Sequence, residues 1–156
     1  VSIVQQCLEQ YQFAPQCLML ELTESLILAD LEDAVARMQQ IKQLGVKFSM
    51  DDFGTGYSSL SYLSRLPFDE VKIDQYFVRS GSTGQPRDWA IVDAIVGIAN
   101  TYGMKLVAEG VETPAQQALL RQSGCRCYQG YLFARPAPAA DTELWIRQYL
   151  QQQATS

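Results

Sequence analysis

The feature that most constrains the fold of this chain is a regular alternation of short apolar segments with helical segments. Five mainly apolar segments predict β-strands, at residues 18–22, 46–50, 71–74, 104–108 and 125–129. Between them, apolar residues recur every three or four positions, which is the period of an amphipathic helix. Strands that alternate with helices predict a parallel sheet whose connections are right-handed crossovers.

Helical segments flank each predicted strand. Gly45 and Gly103 follow two of them at the position where helices commonly end. Thr113 to Gln116 has the pattern of a capping box, with proline at the first helical position. The predicted helices lie at residues 3–11, 34–44, 57–64, 91–102, 114–123 and 142–150, with a polar loop at 80–87.

The number of strand–helix units suggests part of a barrel. A closed (β/α)₈ barrel needs about 250 residues, whereas this chain has 156. We therefore expect a partial (β/α)₈, TIM-like barrel of about five units. Because the sequence opens within a helical pattern, we expect its first strands to be missing. Residues 1–150 would form this domain and 151–156 a polar tail. An open doubly wound sheet is the alternative fold.

Composition excludes several kinds of chemistry and partner. The chain contains no His, so it cannot supply a Ser-His-Asp triad or a His-containing zinc site. Its formal net charge of −5 argues against nucleic acid polymers or anionic membranes as partners. Four scattered Cys are typical of reduced thiols. We expect a cytoplasmic segment without membrane contact, in a protein that an upstream segment could anchor.

Polar side chains accompany the carboxyl end of each predicted strand. In parallel α/β folds these ends meet at one edge, where active sites are found. A carboxylate, an ammonium or an amide therefore reaches that edge from each of the five strands. The side chains are Glu21, Asp51, Asp52, Lys72, Asp74, Glu109, Glu112 and Gln129.

Acids after strands often only cap helices, and for any one of these residues that explanation stays open. It does not account for the set. Glu21 lies inside a strand, and Asp51 and Asp52 are adjacent like charges followed by Phe-Gly-Thr-Gly. Burying unpaired carboxylates is costly, and a divalent cation removes that cost. An all-oxygen ligand set indicates Mg²⁺ or Mn²⁺.

Five motifs occur in order along the chain. They are Glu21-Leu22-Thr23-Glu24, Asp51 to Leu60, Val71-Lys72-Ile73-Asp74, Ala108-Glu109-Gly110-Val111-Glu112-Thr113, and Gln129-Gly130-Tyr131-Leu132-Phe133 with Arg135-Pro136. In these motifs, over nearly its whole length, the chain resembles the EAL domain, the bacterial phosphodiesterase of cyclic di-GMP. The resemblance implies a (β/α)₈ barrel that hydrolyses cyclic di-GMP to the linear dinucleotide pGpG with two divalent cations.

The resemblance also implies roles for the acidic residues. Glu21 and Asp51 would bind the first metal, with Asp51 bridging to the second. Asp52 and Glu109 would complete the ligands of the second metal. Lys72 would orient the attacking water or neutralise charge on the phosphate, and Glu109 is also a candidate proton acceptor.

The remaining motif residues would support the site. Glu24 would hold the loop that follows Asp52 in register. Asp74, Glu112 and Gln129 would contact the substrate or the metal ligands. Cyclic di-GMP would be the partner molecule, and sensory or cyclase domains would lie upstream.

Two family features are absent: the Glu-Ala-Leu signature and an upstream Asn, both ligands of the first metal in the family. Truncation would explain both, so we expect an active parent protein and a weak or inactive fragment. Two alternatives stay open. The domain would bind cyclic di-GMP without cleaving it, or the fragment would mainly associate with itself, as a homodimer through the barrel, because its sheet has open edges.

Overall fold

The computed structural model describes residues 1–23, 30–54, 63–82 and 86–154. Its elements alternate as the sequence predicts, and we number helices and strands separately in chain order. They are α1 (Ser2–Tyr11), a 3₁₀ turn (Pro15–Cys17), β1 (Met19–Thr23), α2 (Leu31–Gln43), β2 (Lys47–Phe53), β3 (Glu70–Ile73), α3 (Gln75–Ser82), α4 (Pro86–Tyr102), β4 (Lys105–Ala108), α5 (Pro114–Gln122), β5 (Cys127–Tyr128) and α6 (Ala139–Ala154).

The five strands form one parallel sheet in the order β1-β2-β3-β4-β5. Each strand lies beside its neighbour in sequence, without the reversal of strand order that defines a doubly wound sheet. The arrangement is that of a partial α/β barrel, which confirms the predicted fold class. All carboxyl ends of the strands consequently lie at one edge, which we call the carboxyl edge. The opposite ends form the amino edge.

The hydrophobic core lies between the sheet and its helices. Met50, Val71 and Ile73 from the central strands are completely buried, and Val92 of α4 is buried with them. Strands that are apolar along their length suit a sheet buried by its crossover helices. This core fixes the positions from which the polar ends of the strands project.

Helix boundaries are the least accurate part of the sequence prediction. The predicted loop at 80–87 is wrong at both ends, because α3 runs from Gln75 to Ser82 and α4 begins at Pro86, while residues 83–85 lie outside the described ranges. A carboxylate oxygen of Asp74 accepts a hydrogen bond from the Tyr76 backbone N–H at 2.7 Å, which supports the start of α3. Proline is favourable in the first turn of a helix, so Pro86 opens α4.

Other boundaries differ by smaller amounts. Strand β2 extends to Phe53, three residues beyond its predicted end, whereas β5 has two of the five predicted residues. Helix α6 begins before its predicted start and continues to Ala154, within the polar segment at 151–156. Most of the predicted helix at 57–64 lies outside the described residues. Within the described ranges, no helix is both long enough and apolar enough to span a membrane.

At the amino edge, two lysines and two carboxylates form ion pairs. Lys42 Nζ lies 2.7 Å from Asp69 Oδ1, and Lys105 Nζ lies 3.3 Å from Glu70 Oε2. The second oxygen of Asp69 accepts the Phe48 N–H at 2.9 Å, and Glu70 accepts the hydroxyl of Ser49 at 3.0 Å. Two lysines thus balance two carboxylates.

Candidate active site

At the carboxyl edge, three carboxylates contact a single lysine. Lys72 Nζ lies 2.7 Å from Glu21 Oε1, 3.0 Å from Glu109 Oε1 and 3.9 Å from Asp51 Oδ1. The Lys72 side chain is only 7% exposed. We call Glu21, Asp51, Lys72 and Glu109 the carboxylate cluster. Four successive strands, β1 to β4, provide these residues or lead directly into them, as the sequence predicts.

The backbone at the end of β2 is irregular where the acidic pair lies. The pairing of β2 with β3 shifts register between Met50 and Phe53. Asp52 lies within this interval with φ 56°, in the left-handed region that few residues other than glycine occupy. Its backbone N–H donates to Asp51 Oδ1 at 3.1 Å. An unusual conformation of this kind is often found at functional sites.

The surroundings of Lys72 favour its charged form. Burial alone would lower the pKa of Lys72, because it removes water from the ammonium group. The hydrogen bonds to Glu21 and Glu109, together with the charges of Glu109 and Asp51, outweigh this effect and raise the pKa of Lys72 above its ordinary value. Lys72 therefore stays protonated and partly compensates the surrounding negative charge.

Two carboxylates of this edge hold their protons more tightly than usual. Burial is the main cause that raises the pKa of Glu109, and it outweighs the opposing effect of Lys72. Burial also raises the pKa of Asp52, with further contributions from the charge of Asp51 and from a hydrogen bond with Asp74. In both cases burial is the largest cause, and the charge of neighbouring carboxylates adds to it.

The carboxylates at this edge offer only oxygen atoms as metal ligands. Oxygen is the ligand atom that hard divalent cations prefer. In the described part of the chain, no group of three or more acidic or Cys side chains is in a position to hold a metal ion. The carboxylates instead converge on the Lys72 ammonium. What supports a cation here is therefore the kind and number of donors and their excess negative charge.

A cleft of about 240 Å³ opens beside the carboxylate cluster. Glu109 belongs to both, so the cleft adjoins the cluster directly. Its described lining residues are Gln75, Arg79, Glu109, Gly110, Glu112, Gln129, Gly130 and Tyr131. Glu112 and Gln129 are predicted to contact the substrate or the metal ligands, and the structure brings both to this cleft.

Two glycines of the cleft wall have no room for a side chain. A Cβ on Gly110 would lie 2.5 Å from Gln75 Cβ, and one on Gly130 would lie 2.3 Å from the Val111 carbonyl oxygen. Gly110 also has φ 64°, which favours glycine. Close backbone packing at these positions explains why glycine follows Glu109 and Gln129 in their motifs.

Of the other predicted residues, Asp74 contacts a predicted metal ligand and Glu24 lies outside the described ranges. Asp74 is absent from the contacts of Lys72; it interacts with Asp52 and accepts the Tyr76 N–H. Glu24 lies outside the described residues, as does most of the loop that it was expected to hold.

Sequence reasoning missed three residues of the cleft: Gln75, Arg79 and Tyr131. Gln75 and Arg79 are four residues apart on α3, so they lie on the same face of the helix. A helix predicted directly after the third strand would have indicated both residues, but the sequence pattern does not predict one there. The ring centre of Tyr131 lies 4.4 Å from the guanidinium carbon of Arg135.

Comparison with known sequences yields one family and close relatives. Residues 1–136 match the family model described as the EAL domain. A protein of Pseudomonas aeruginosa named cyclic di-GMP phosphodiesterase NbdA is 45% identical over 149 residues, which is 96% of this chain and 19% of that protein. The chain thus spans about a fifth of the length of this curated relative.

Solved structures give the same result for the fold. The structure of the PaMucR phosphodiesterase in complex with c-di-GMP matches with a TM-score of 0.85 and 45% identity, covering 89% of this chain and 56% of that chain. BlrP1 of Klebsiella pneumoniae, solved with manganese and cyclic di-GMP, matches with a TM-score of 0.81 and 32% identity, covering 87% of this chain and 34% of that chain. Both of these structures thus contain cyclic di-GMP, and that of BlrP1 contains manganese as well.

Proposed function

The chain belongs to the EAL domain family, and from this premise we propose that it is part of a phosphodiesterase that hydrolyses cyclic di-GMP to pGpG. The observation that carries the proposal is the convergence of Glu21, Asp51 and Glu109 on Lys72 at one end of the sheet. The site thereby combines an excess of oxygen donors with one buried ammonium, beside a cleft that opens to solvent.

We assign the acidic residues to two cation sites. Glu21 and Asp51 would hold the first Mg²⁺ or Mn²⁺, and Asp51, Asp52 and Glu109 the second. When bound, such cations offset the negative charge of the carboxylates and make water a stronger nucleophile at neutral pH. Burial is the main cause that raises the pKa of both Asp52 and Glu109, and a bound cation would offset the cost of burying their charge.

Lys72 and Glu109 would handle the charge and the proton of the reaction. The ammonium of Lys72 is fixed by its carboxylate partners and would stabilise negative charge that develops on the phosphate. Glu109 lies beside the Lys72 ammonium and lines the cleft, so it would take the proton of the attacking water. The water oxygen would bond to phosphorus as the bond from phosphorus to the departing sugar oxygen breaks, and a proton from solvent would complete the sugar hydroxyl.

We further propose that the parent protein, in which the Glu-Ala-Leu and Asn motifs precede these 156 residues, is the competent enzyme. The chain spans only 56% of the solved PaMucR chain and 19% of NbdA, which leaves room for those motifs and for sensory or cyclase domains. The fragment would bind the first metal weakly, because Glu21 and Asp51 alone remain for it. We place the parent's catalytic segment in the cytoplasm.

A homodimer is a further proposal for the fragment. Within the described strands, β1 pairs only with β2, and its other side is an open edge. Open edges tend to pair with another chain. Light scattering on the isolated fragment would give a dimer mass, and a stable monomer at all concentrations would refute this.

The experiment for the proposed function is hydrolysis of cyclic di-GMP by the parent protein with Mg²⁺ or Mn²⁺, followed by chromatography. We expect pGpG to accumulate and a chelator to stop the reaction. Tight binding of cyclic di-GMP without product would instead identify a receptor. The described carboxylates favour catalysis because the cluster retains more acids than binding a neutral or anionic ligand requires.

A further inference from the structure

Among the described residues that line the cleft, only one carries a positive charge that would attract an anion. Glu109 and Glu112 are acidic, and Arg79 is the one cation among the described residues that line it. Lys72 lies in the adjoining cluster, where three carboxylates already surround it. An anionic group that enters this cleft would therefore meet its favourable charge at Arg79.

Arg79 occupies a defined position on the cleft wall. Its Nη2 donates to Glu112 Oε1 at 2.7 Å, across 33 positions of sequence. The backbone N–H of Glu112 in turn donates to Gln116 Oε1 at 2.8 Å, which ties this segment to the start of α5. Since Glu112 is held by α5, its carboxylate positions the guanidinium of α3 at the opening of the cleft.

The Arg79 side chain is 54% exposed, and that of Glu112 is 39% exposed. Exposed ion pairs contribute little to the stability of a fold. A guanidinium has five N–H donors in a planar fork, so the hydrogen bond to Glu112 uses only part of its capacity. The pair itself therefore adds little to the packing of α3 against α5.

Cyclic di-GMP carries two phosphodiester groups, of which only one is cleaved in a single turnover. We infer that Arg79 is a substrate-binding residue that contacts the phosphodiester not undergoing cleavage, an inference that rests on the proposed function. The carboxylate cluster and its cations would hold the reacting phosphodiester. Arg79, in the adjoining cleft, would hold the other and so orient the ring of the substrate.

The test compares three variants of the parent protein: Arg79→Ala, Arg79→Lys and Arg147→Ala. Arg147 is the matched control, because it forms an exposed pair with Glu143 at 2.6 Å on α6 and lines no part of the cleft. Steady-state hydrolysis of cyclic di-GMP gives KM and kcat for each variant. Calorimetric titration with cyclic di-GMP gives Kd, and circular dichroism checks that each variant is folded.

We expect Arg79→Ala to raise KM and Kd about tenfold while kcat changes less than about twofold, the pattern of a lost binding contact. Arg79→Lys should recover part of the affinity, because it keeps the charge but not the fork. Arg147→Ala should resemble the wild type. Equal KM and Kd for wild type and Arg79→Ala, or an equal loss in Arg147→Ala, would overturn the inference.

Failure of the proposed function gives a different result. A parent protein that binds cyclic di-GMP without hydrolysis, and loses affinity in Arg79→Ala, would refute catalysis and support the role of Arg79. Hydrolysis that is unaffected in Arg79→Ala would support catalysis and refute the role of Arg79. A parent that neither binds nor hydrolyses cyclic di-GMP would refute both.

Discussion

Each edge of the sheet carries a pair of adjacent acidic residues, but the two edges differ in the number of lysines that neutralise their acids. Asp69 precedes β3 and Glu70 begins it at the amino edge, and each has its own lysine, Lys42 and Lys105. Asp51 and Asp52 lie near the end of β2 at the carboxyl edge, where Lys72 is the ammonium for Glu21, Asp51 and Glu109. One network is neutral, and three carboxylates with one ammonium give the other a formal sum of −2.

This difference separates a structural role from a functional one. A balanced network satisfies its own charges and has no need of a bound ion. At the carboxyl edge three carboxylates share one lysine, and one of them, Glu109, also lines a cleft that water and ligands can enter. Adjacent acids in a sequence therefore do not identify a cation site by themselves, because the number of basic partners decides.

The largest expected effect comes from removing one charge at each edge. Asp51→Asn in the parent protein should reduce hydrolysis of cyclic di-GMP about a thousandfold, the scale expected when a charge-stabilising group is lost. The matched variant Asp69→Asn should keep turnover within about twofold when the folded fractions are equal. Rates under saturating substrate and metal measure this contrast. Equal losses in the two variants would break the comparison.

A second prediction concerns the tight backbone of the carboxyl edge. Gly130→Ala should destabilise the fold by about 2–3 kcal/mol, because its Cβ would overlap the Val111 carbonyl oxygen. Gly97→Ala is the control, since nothing lies within 4 Å of a Cβ there and alanine is favoured by about 0.5–1 kcal/mol inside a helix. Urea unfolding measures both. A neutral Gly130→Ala would show that this wall is not closely packed.

The smallest expected effect lies at the amino edge. Asp69→Asn should lower the free energy of unfolding by about 1 kcal/mol, because it weakens the contact with Lys42 and the hydrogen bond from the Phe48 N–H. Chemical denaturation of wild type and variant gives this difference. The Asp51→Asn variant should lose less stability or gain some, because it relieves repulsion. A larger loss in Asp51→Asn would mean that Asp51 is mainly structural.

The sequence predicts the order of the elements and the residues of the carboxyl edge, because both follow from local patterns. Apolar segments locate the strands, and parallel strands bring Glu21, Asp51, Lys72 and Glu109 together whatever the details of their connections. Helix α3 is not predicted by these local patterns. Asp74 accepts the Tyr76 N–H at its start, and the polar residues from Ser80 onwards suggest a loop.

Because the sequence pattern does not predict α3, it also does not predict that Gln75 and Arg79 line the cleft. The balance of charge at each edge is also outside the reach of the sequence. Lys42 and Asp69 are 27 positions apart, and only the packing of α2 on the sheet brings them together. Long-range pairs of this kind separate the acids that the fold neutralises from those that it leaves for a ligand.

The most direct test of the account is a calorimetric titration of the parent protein with Mn²⁺, alongside its Asp51→Asn and Asp69→Asn variants. If the unbalanced carboxyl edge is the cation site, binding will be lost or strongly weakened in Asp51→Asn and unchanged in Asp69→Asn. Mn²⁺ binding that is equal in all three proteins, or absent from the wild type, would contradict the account.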